Sequence, residues 1–330
     1  MKLGVSYFGN RMPRHFIERD LPEIAAMGCT FVLHTFSEYD LQFYGGAVRE
    51  ITAASKDAGL EVYLDPWGVA GVFGGEAYSR FLLQHQDAWQ VRKDRSRTPL
   101  ACPNSPALRT FMEGWIETAA GVGPDVLFWD EPHFTQDDLG AGPGICRCAV
   151  CEGLYQERYG AVMPDTMTPD LAEFHEDSIV RFIAGLCQTA AGHGLRNALC
   201  LLPFDDGPHG LQHWEKLAAL PTVDILGVTP FWRLRGHEVQ GYVRQWAGKV
   251  RDLCETHHKE PQVWLQAFLI AQGREHEVHM AAEAAYEAGI RNIAAWGYRA
   301  CEHMTALRPD QPEAVWEAVR DAFTGLHRHP

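Results

Sequence analysis

The chain has 330 residues, 46% of them hydrophobic and 22% charged, with a formal net charge of −14. These values fit a globular protein with a large core and argue against a nucleic-acid or anionic-membrane partner, which relies on a basic face. No apolar run approaches the roughly 18 residues of a membrane helix, and Lys2-Leu3-Gly4-Val5-Ser6 reads as a strand rather than a charged-then-apolar leader.

The predicted elements alternate along the chain. Strand 1 covers Leu3–Phe8, and a helix follows from Arg14 to Met27, stopped by Gly28 as a C-cap glycine would stop it. Strand 2 is Thr30–Phe36, with a helix over 46–58 closed by Gly59. Strand 3 is Glu61–Leu64, ending at Asp65-Pro66-Trp67, and a long segment from Gly68 to Pro103 precedes its helix at 106–120. Strand 4 is Val126–Trp129, again with a long loop, before a helix over 169–192. Strand 5 (Asn197–Leu202), strand 6 (Val223–Thr229), strand 7 (Gln262–Phe268) and strand 8 (Asn292–Trp296) follow, each with a helix behind it. Eight βα units in one chain predict an α/β fold, a single (β/α)8 barrel over residues 1–330 with long loops after strands 3 and 4. An open doubly wound sheet is the rival, but no Gly-x-Gly-x-x-Gly turn follows strand 1, so a dinucleotide-binding version has no support.

In such a barrel the strand C-termini converge on one mouth. They supply Tyr7, His34, Glu38, Asp65, Trp67, Asp130, Glu131, His133, Asp205, Trp232, Gln266, Trp296 and Tyr298. Aromatic faces with carboxylates and amides suit a sugar: rings stack on its C–H patches while polar groups hold its hydroxyls. Asp130 and Glu131 stand out, because a buried apolar strand ends in two adjacent acids and a proline. Neighbouring carboxylates repel, so one pKa tends to rise, which suits a general acid near neutral pH. Glu131 is the expected acid and Asp130 its partner, with Tyr7, His34, Glu38, Asp65, Trp67, His133, Asp205, Trp232, Gln266, Trp296 and Tyr298 binding substrate.

Asp130-Glu131-Pro132 at strand 4 resembles TIM-barrel glycoside hydrolases, in two ways. The large clan of retaining enzymes has Asn-Glu-Pro there, with that Glu as acid/base and a second Glu as nucleophile at strand 7. Here the first position is Asp130, and Gln266 stands where the nucleophile would be. An adjacent Asp-Glu pair is instead similar to that of N-acetylhexosaminidases, in which the substrate's acetamide is the nucleophile, the Asp orients it and the Glu is the acid. An inverting mechanism with Asp65, Asp205 or Glu38 as base is also open. The resemblance implies a hydrolase of a small saccharide. Gln266 motivates the alternative of a non-catalytic carbohydrate-binding barrel.

Nine cysteines, an odd number with three of them clustered, fit reduced thiols and a metal site in the cytoplasm better than a disulfide framework. Cys146-x-Cys148-x-x-Cys151 can wrap one tetrahedral Zn2+ with a structural role. His175 is the expected fourth ligand, with Cys187 and His133 as alternatives. The spacing also resembles tRNA-guanine transglycosylases, which have Cys-x-Cys-x-x-Cys and a later His. Their Asp-Ser-Gly-Gly-Phe-like segment is absent here, and the acidic charge disfavours tRNA. Expected partners are therefore a small carbohydrate, with neither nucleic acid nor membrane.

Overall fold

Alternating apolar strands and amphipathic helices bury most surface when the strands close on themselves and the helices cover the outside. The computed structural model, which describes residues 1–75, 77–134, 146–203 and 211–328, has this arrangement. Among the described residues ten strands run in chain order: β1 (Lys2–Tyr7), β2 (Phe31–Thr35), β3 (Glu61–Asp65), β4 (Trp89–Val91), β5 (Arg97–Ala101), β6 (Val126–Asp130), β7 (Arg196–Leu201), β8 (Ile225–Val228), β9 (Glu260–Gln266) and β10 (Asn292–Trp296). Eight of them close a barrel in the order β1-β10-β9-β8-β7-β6-β3-β2, every pair parallel. The fold is the expected (β/α)8 TIM barrel.

The long segment after β3 is not structureless. It holds a short helix, Arg80–Gln84, and the antiparallel hairpin β4–β5. The loop after β6 leads into a second unpredicted helix, Ala149–Tyr159, which begins inside the cysteine cluster. The predicted helix boundaries fall where local chemistry sets them. Ser105 and Thr168 cap helices that open with Pro106 and Pro169, and Gly28 and Gly59 close turns with positive φ before β2 and β3.

Strand side chains alternate between two cores. Phe31, Leu33, Tyr63, Phe128, Trp264 and Trp296 belong to the core inside the barrel. Tyr7, Val32, Leu64, Leu127 and Leu199 belong to the core between strands and helices. This parity decides which strand-end residues reach the mouth.

Candidate active site

Asp65 ends β3 and Asp130 ends β6, two neighbouring barrel strands. Both side chains are buried. Glu131 follows with φ +45°, and its N–H donates to the Cys200 carbonyl at 3.0 Å. That turn out of the strand places two successive acids on one rim. Thr229, just past β8, donates its hydroxyl to Glu131 Oε1 at 2.5 Å.

The three carboxyl groups feel one another. Burial pushes Asp65 and Asp130 well above the usual carboxylate range; the charge of Glu131 adds to both, and that of Asp65 adds further to Asp130. Burial raises Glu131 to about 7, against the lowering effect of the Thr229 hydrogen bond. A group with that value holds a proton near neutrality and can release it.

The loop after β3 straps across this rim. Gly74 N–H donates to the Asp130 carbonyl at 2.9 Å, and a Cβ on Gly74 would collide with the Asp130 carboxylate. His133 N–H donates to Val72 O at 3.0 Å, and its Nδ1 lies 2.7 Å from the Glu131 carbonyl. A cavity of about 530 Å³ opens beside Glu131 and His133, walled by Gly71, Gly74, Tyr78 and Leu83 of the strap and Trp89 and Leu100 of the hairpin. Trp67 stacks on Trp296 with centroids 5.6 Å apart, and Phe8 packs edge-on to both, forming one aromatic cluster.

Several expected site residues have other duties. Tyr7 and His34 point out of the barrel, because they sit one residue out of phase with the inward set. Tyr7 donates to Asp20 at 2.6 Å, while His34 is fully buried between Asn10 (3.2 Å) and Ser55 (3.1 Å), and burial pushes it down to about 3. Glu38 anchors the strap, accepting from Ala70 N–H, the Ser79 hydroxyl and Phe81 N–H at 2.9, 2.5 and 2.7 Å. Trp232 is fully buried, with its indole N–H on Glu277 at 2.9 Å, so it does not wall the mouth. Gln266 is also buried and fully engaged: it accepts from Arg233 N–H at 3.0 Å and donates to Phe268 O at 2.9 Å. Tyr298 donates to Asp20 and Glu23 and lines a separate cavity of about 290 Å³ with Tyr7, Met12 and Met304. Asp205 lies outside the described residues.

The metal expectation needs one correction. The ligand atoms of Cys102, Cys146, Cys148 and Cys151 lie within 4.8 Å of one another, all buried, so the fourth group is Cys102 rather than His175. His175 is buried against Phe134, stacked at 3.8 Å, with Nε2 unpartnered. The Cys102–Cys148 sulfur separation of 3.7 Å matches a tetrahedral ion, for which Zn–S bonds of about 2.3 Å put sulfurs roughly 3.8 Å apart, and the Cys102–Cys151 separation of 3.3 Å is shorter. Asn104 donates to Cys151 Sγ at 3.4 Å, support from outside the cluster. A sulfur therefore stands where the transglycosylase pattern has a histidine. Cys102 follows β5, a strand the periodicity did not predict. Its one sequence signal was a cysteine followed by proline at the end of an unassigned segment.

No family model matches the sequence, and no curated protein matches it. Solved structures do. A β-galactosidase from the Antarctic haloarchaeon Halorubrum lacusprofundi superimposes with a TM-score of 0.76 at 14% identity, covering 100% of this chain and 58% of that one. The PgaB (BpsB) glycoside hydrolase domain from Bordetella bronchiseptica gives a TM-score of 0.63 at 13% identity, covering 98% and 99%. GH5_18 from Streptomyces cattleya, solved with GlcNAc, gives 0.60 at 13%, covering 100% and 81%. The likeness is one of fold, a barrel shared with glycoside hydrolases. Among the described residues, no helix is long and apolar enough to cross a membrane.

Proposed function

We propose that the protein is a glycoside hydrolase acting on a small saccharide, with Glu131 as general acid and Asp130 as its partner. The observation that carries this reading is Glu131 itself: a carboxyl at the end of a barrel strand, beside a cavity, holding its proton up to about pH 7. A shared barrel alone would not carry it, since one barrel hosts many chemistries. Glu131 gives its proton to the bridging oxygen as the glycosidic bond breaks. Asp130, fixed by Gly74 on one side and β6 on the other, orients the reacting ring. Trp67 and Trp296 offer it an aromatic face. The deciding experiment is turnover of a chromogenic glycoside panel by the wild-type protein and Glu131→Gln.

Gln266 favours one second reading. Both ends of its amide are committed to backbone partners, so the position of the retaining clan's nucleophile carries no reactive group. A carbohydrate-binding barrel without turnover accords with that, and binding of sugars with no hydrolysis of any panel member would establish it.

For the four cysteines we propose one structural Zn2+. Four thiolates leave no open position for substrate, so the ion would tie hairpin and loop together rather than activate water. The nine cysteines, all free thiols in the structure, accord with a reducing compartment such as the cytoplasm. The acidic charge favours a small-molecule partner over a nucleic acid.

A further inference from the structure

Asp65 is fully buried, and neither of its carboxyl oxygens has a hydrogen-bond partner. Among the described residues it is the one acid with both oxygens in that condition. Leaving a buried polar group unpaired is costly, and native proteins rarely do so without a functional reason. The groups around it are acidic or neutral. Asp130 and Glu131 approach from the end of β6 and the Cys200 thiol from β7, while the Thr229 hydroxyl from the end of β8 is spent on Glu131. His133 stands behind Glu131, and burial pushes its pKa down, away from the cationic form. No Lys or Arg offsets the charge of Asp65, Asp130 or Glu131 among the described residues. Residues 135–145 and 204–210 contain no Lys or Arg either.

A site built this way lacks a cation with several donors. The acids do not form a metal site of three protein ligands: among the described residues only the four cysteines bring three or more ligand atoms within 4.8 Å of one another. An ammonium group does fit, having three donors, two of which could satisfy Asp65. Resting on the hydrolase reading above, we propose that the sugar ring held at Asp65 carries a free amine, so that the substrate is a glycoside of an unacetylated amino sugar.

Two consequences separate this from a neutral substrate. The empty site holds protons at neutral pH, and a bound ammonium favours the ionised carboxylates, so binding releases protons. A free amine also has no carbonyl oxygen to attack the anomeric carbon, which removes the acetamide-assisted route. Water is then the nucleophile: its oxygen bonds to the anomeric carbon as the glycosidic bond breaks, the proton of Glu131 goes to the departing oxygen, and the water's proton passes to Asp130, which also orients the ring and which the bound ammonium keeps ionised.

The test is calorimetric binding at pH 7 of glucosamine, galactosamine and mannosamine. Each is compared with its N-acetyl form and with the matching neutral hexose, in two buffers of different ionisation enthalpy. The expected result is one amino sugar binding at least about tenfold more tightly than both counterparts, since hydrogen bonds between charged groups outweigh neutral ones. Its apparent enthalpy should differ between buffers in the sense of proton release. Asp65→Asn should bring the three forms within about twofold of one another, because the amide keeps the shape and loses the charge. Equal or tighter binding of the neutral or N-acetyl form overturns the proposal. So does binding without proton release, an unchanged preference in Asp65→Asn, or no binding of any amino sugar. Should Asp65→Asn not fold, proton release by the wild-type protein decides alone. Amine preference without hydrolysis of any amino-sugar glycoside would sink the hydrolase reading but not this one. Hydrolysis of neutral glycosides without amine preference would do the reverse.

Discussion

Gly74 lies directly against the carboxylate of Asp130, and its N–H donates to the carbonyl of the same residue at 2.9 Å. One residue of the strap thus fixes both the backbone and the side chain of an acid at the end of β6. A Cβ at position 74 would have to displace the carboxylate or lift the strap. Gly74→Ala should therefore lower kcat by about tenfold to a hundredfold, since small displacements of positioned groups cost that much. Its near-UV circular dichroism should stay native. Gly46→Ala, where nothing lies within 4 Å of the added Cβ, is the matched control and should leave activity unchanged.

Glu131→Gln should remove about 10²–10⁴ of turnover, the usual contribution of a general acid, while sugar binding survives. Nitrophenyl glycosides should suffer less than alkyl ones, because a good leaving group needs little protonation. A variant that stays within tenfold of the wild type on alkyl glycosides would rule out Glu131 as the acid.

The pH dependence follows from burial. The proton that Glu131 must donate is present below about pH 7 and absent above it, so kcat should fall on the alkaline side around that value. Thr229→Val removes the hydrogen bond that lowers this pKa and should move the limb to higher pH. The stability linkage has a definite sign as well. The folded state binds this proton more tightly than the unfolded chain, whose carboxyl titrates near 4.5. The contribution of Glu131 to stability therefore declines as pH rises from about 4.5 to about 7 and is then flat. Urea midpoints measured across that window should drop less in Glu131→Gln than in the wild type.

Purified protein should contain about one zinc per chain by elemental analysis. Cys102→Ser and Cys148→Ser should each lose the metal and lower the melting temperature, whereas His175→Ala should keep the metal in full. Retention of zinc by Cys102→Ser together with its loss from His175→Ala would reverse the ligand assignment.

Glu38 accepts three hydrogen bonds from the strap, two of them from backbone N–H groups. Glu38→Ala should destabilise the protein by about 3 kcal/mol or more, because removing the acceptor leaves several buried donors unsatisfied. Denaturant melts read this directly. Glu38→Gln should recover only part of the loss, since an amide offers one acceptor oxygen where the carboxylate offers two.

The barrel was legible because its eight strands are short apolar runs spaced by helices that end in glycine, a pattern set by local chemistry. Asp65, Asp130 and Glu131 were legible for the same reason: each stands at the end of an apolar strand run and is followed closely by proline. Phase was not legible at the strand ends. Tyr7 and His34 sit beside inward residues in sequence and face the other way in space, and one residue of register separates a mouth residue from a helix-facing one. Trp232 lies past β8, where the turn of the loop decides direction, and Gln266, the last residue of β9, is taken up by the Arg233 N–H and the Phe268 carbonyl, partners that no local pattern shows. Cys102 was hidden by the β4–β5 hairpin, too short for periodicity to reveal, which folds it back onto a cluster more than forty residues later. Thr229, the partner of Glu131, is 98 residues away in sequence, beyond the reach of any local motif.

All four sulfurs belong to the first 151 residues. When a ribosome has added Cys151, four of the eight barrel strands have been made, and all four clustered cysteines are already in the nascent chain. Thr229, which tunes Glu131, has not yet been synthesised. The proposed ion would therefore clasp the part of the molecule around β6 while the later strands are still to come, so that the frame of the acid pair is laid down before its proton affinity is set.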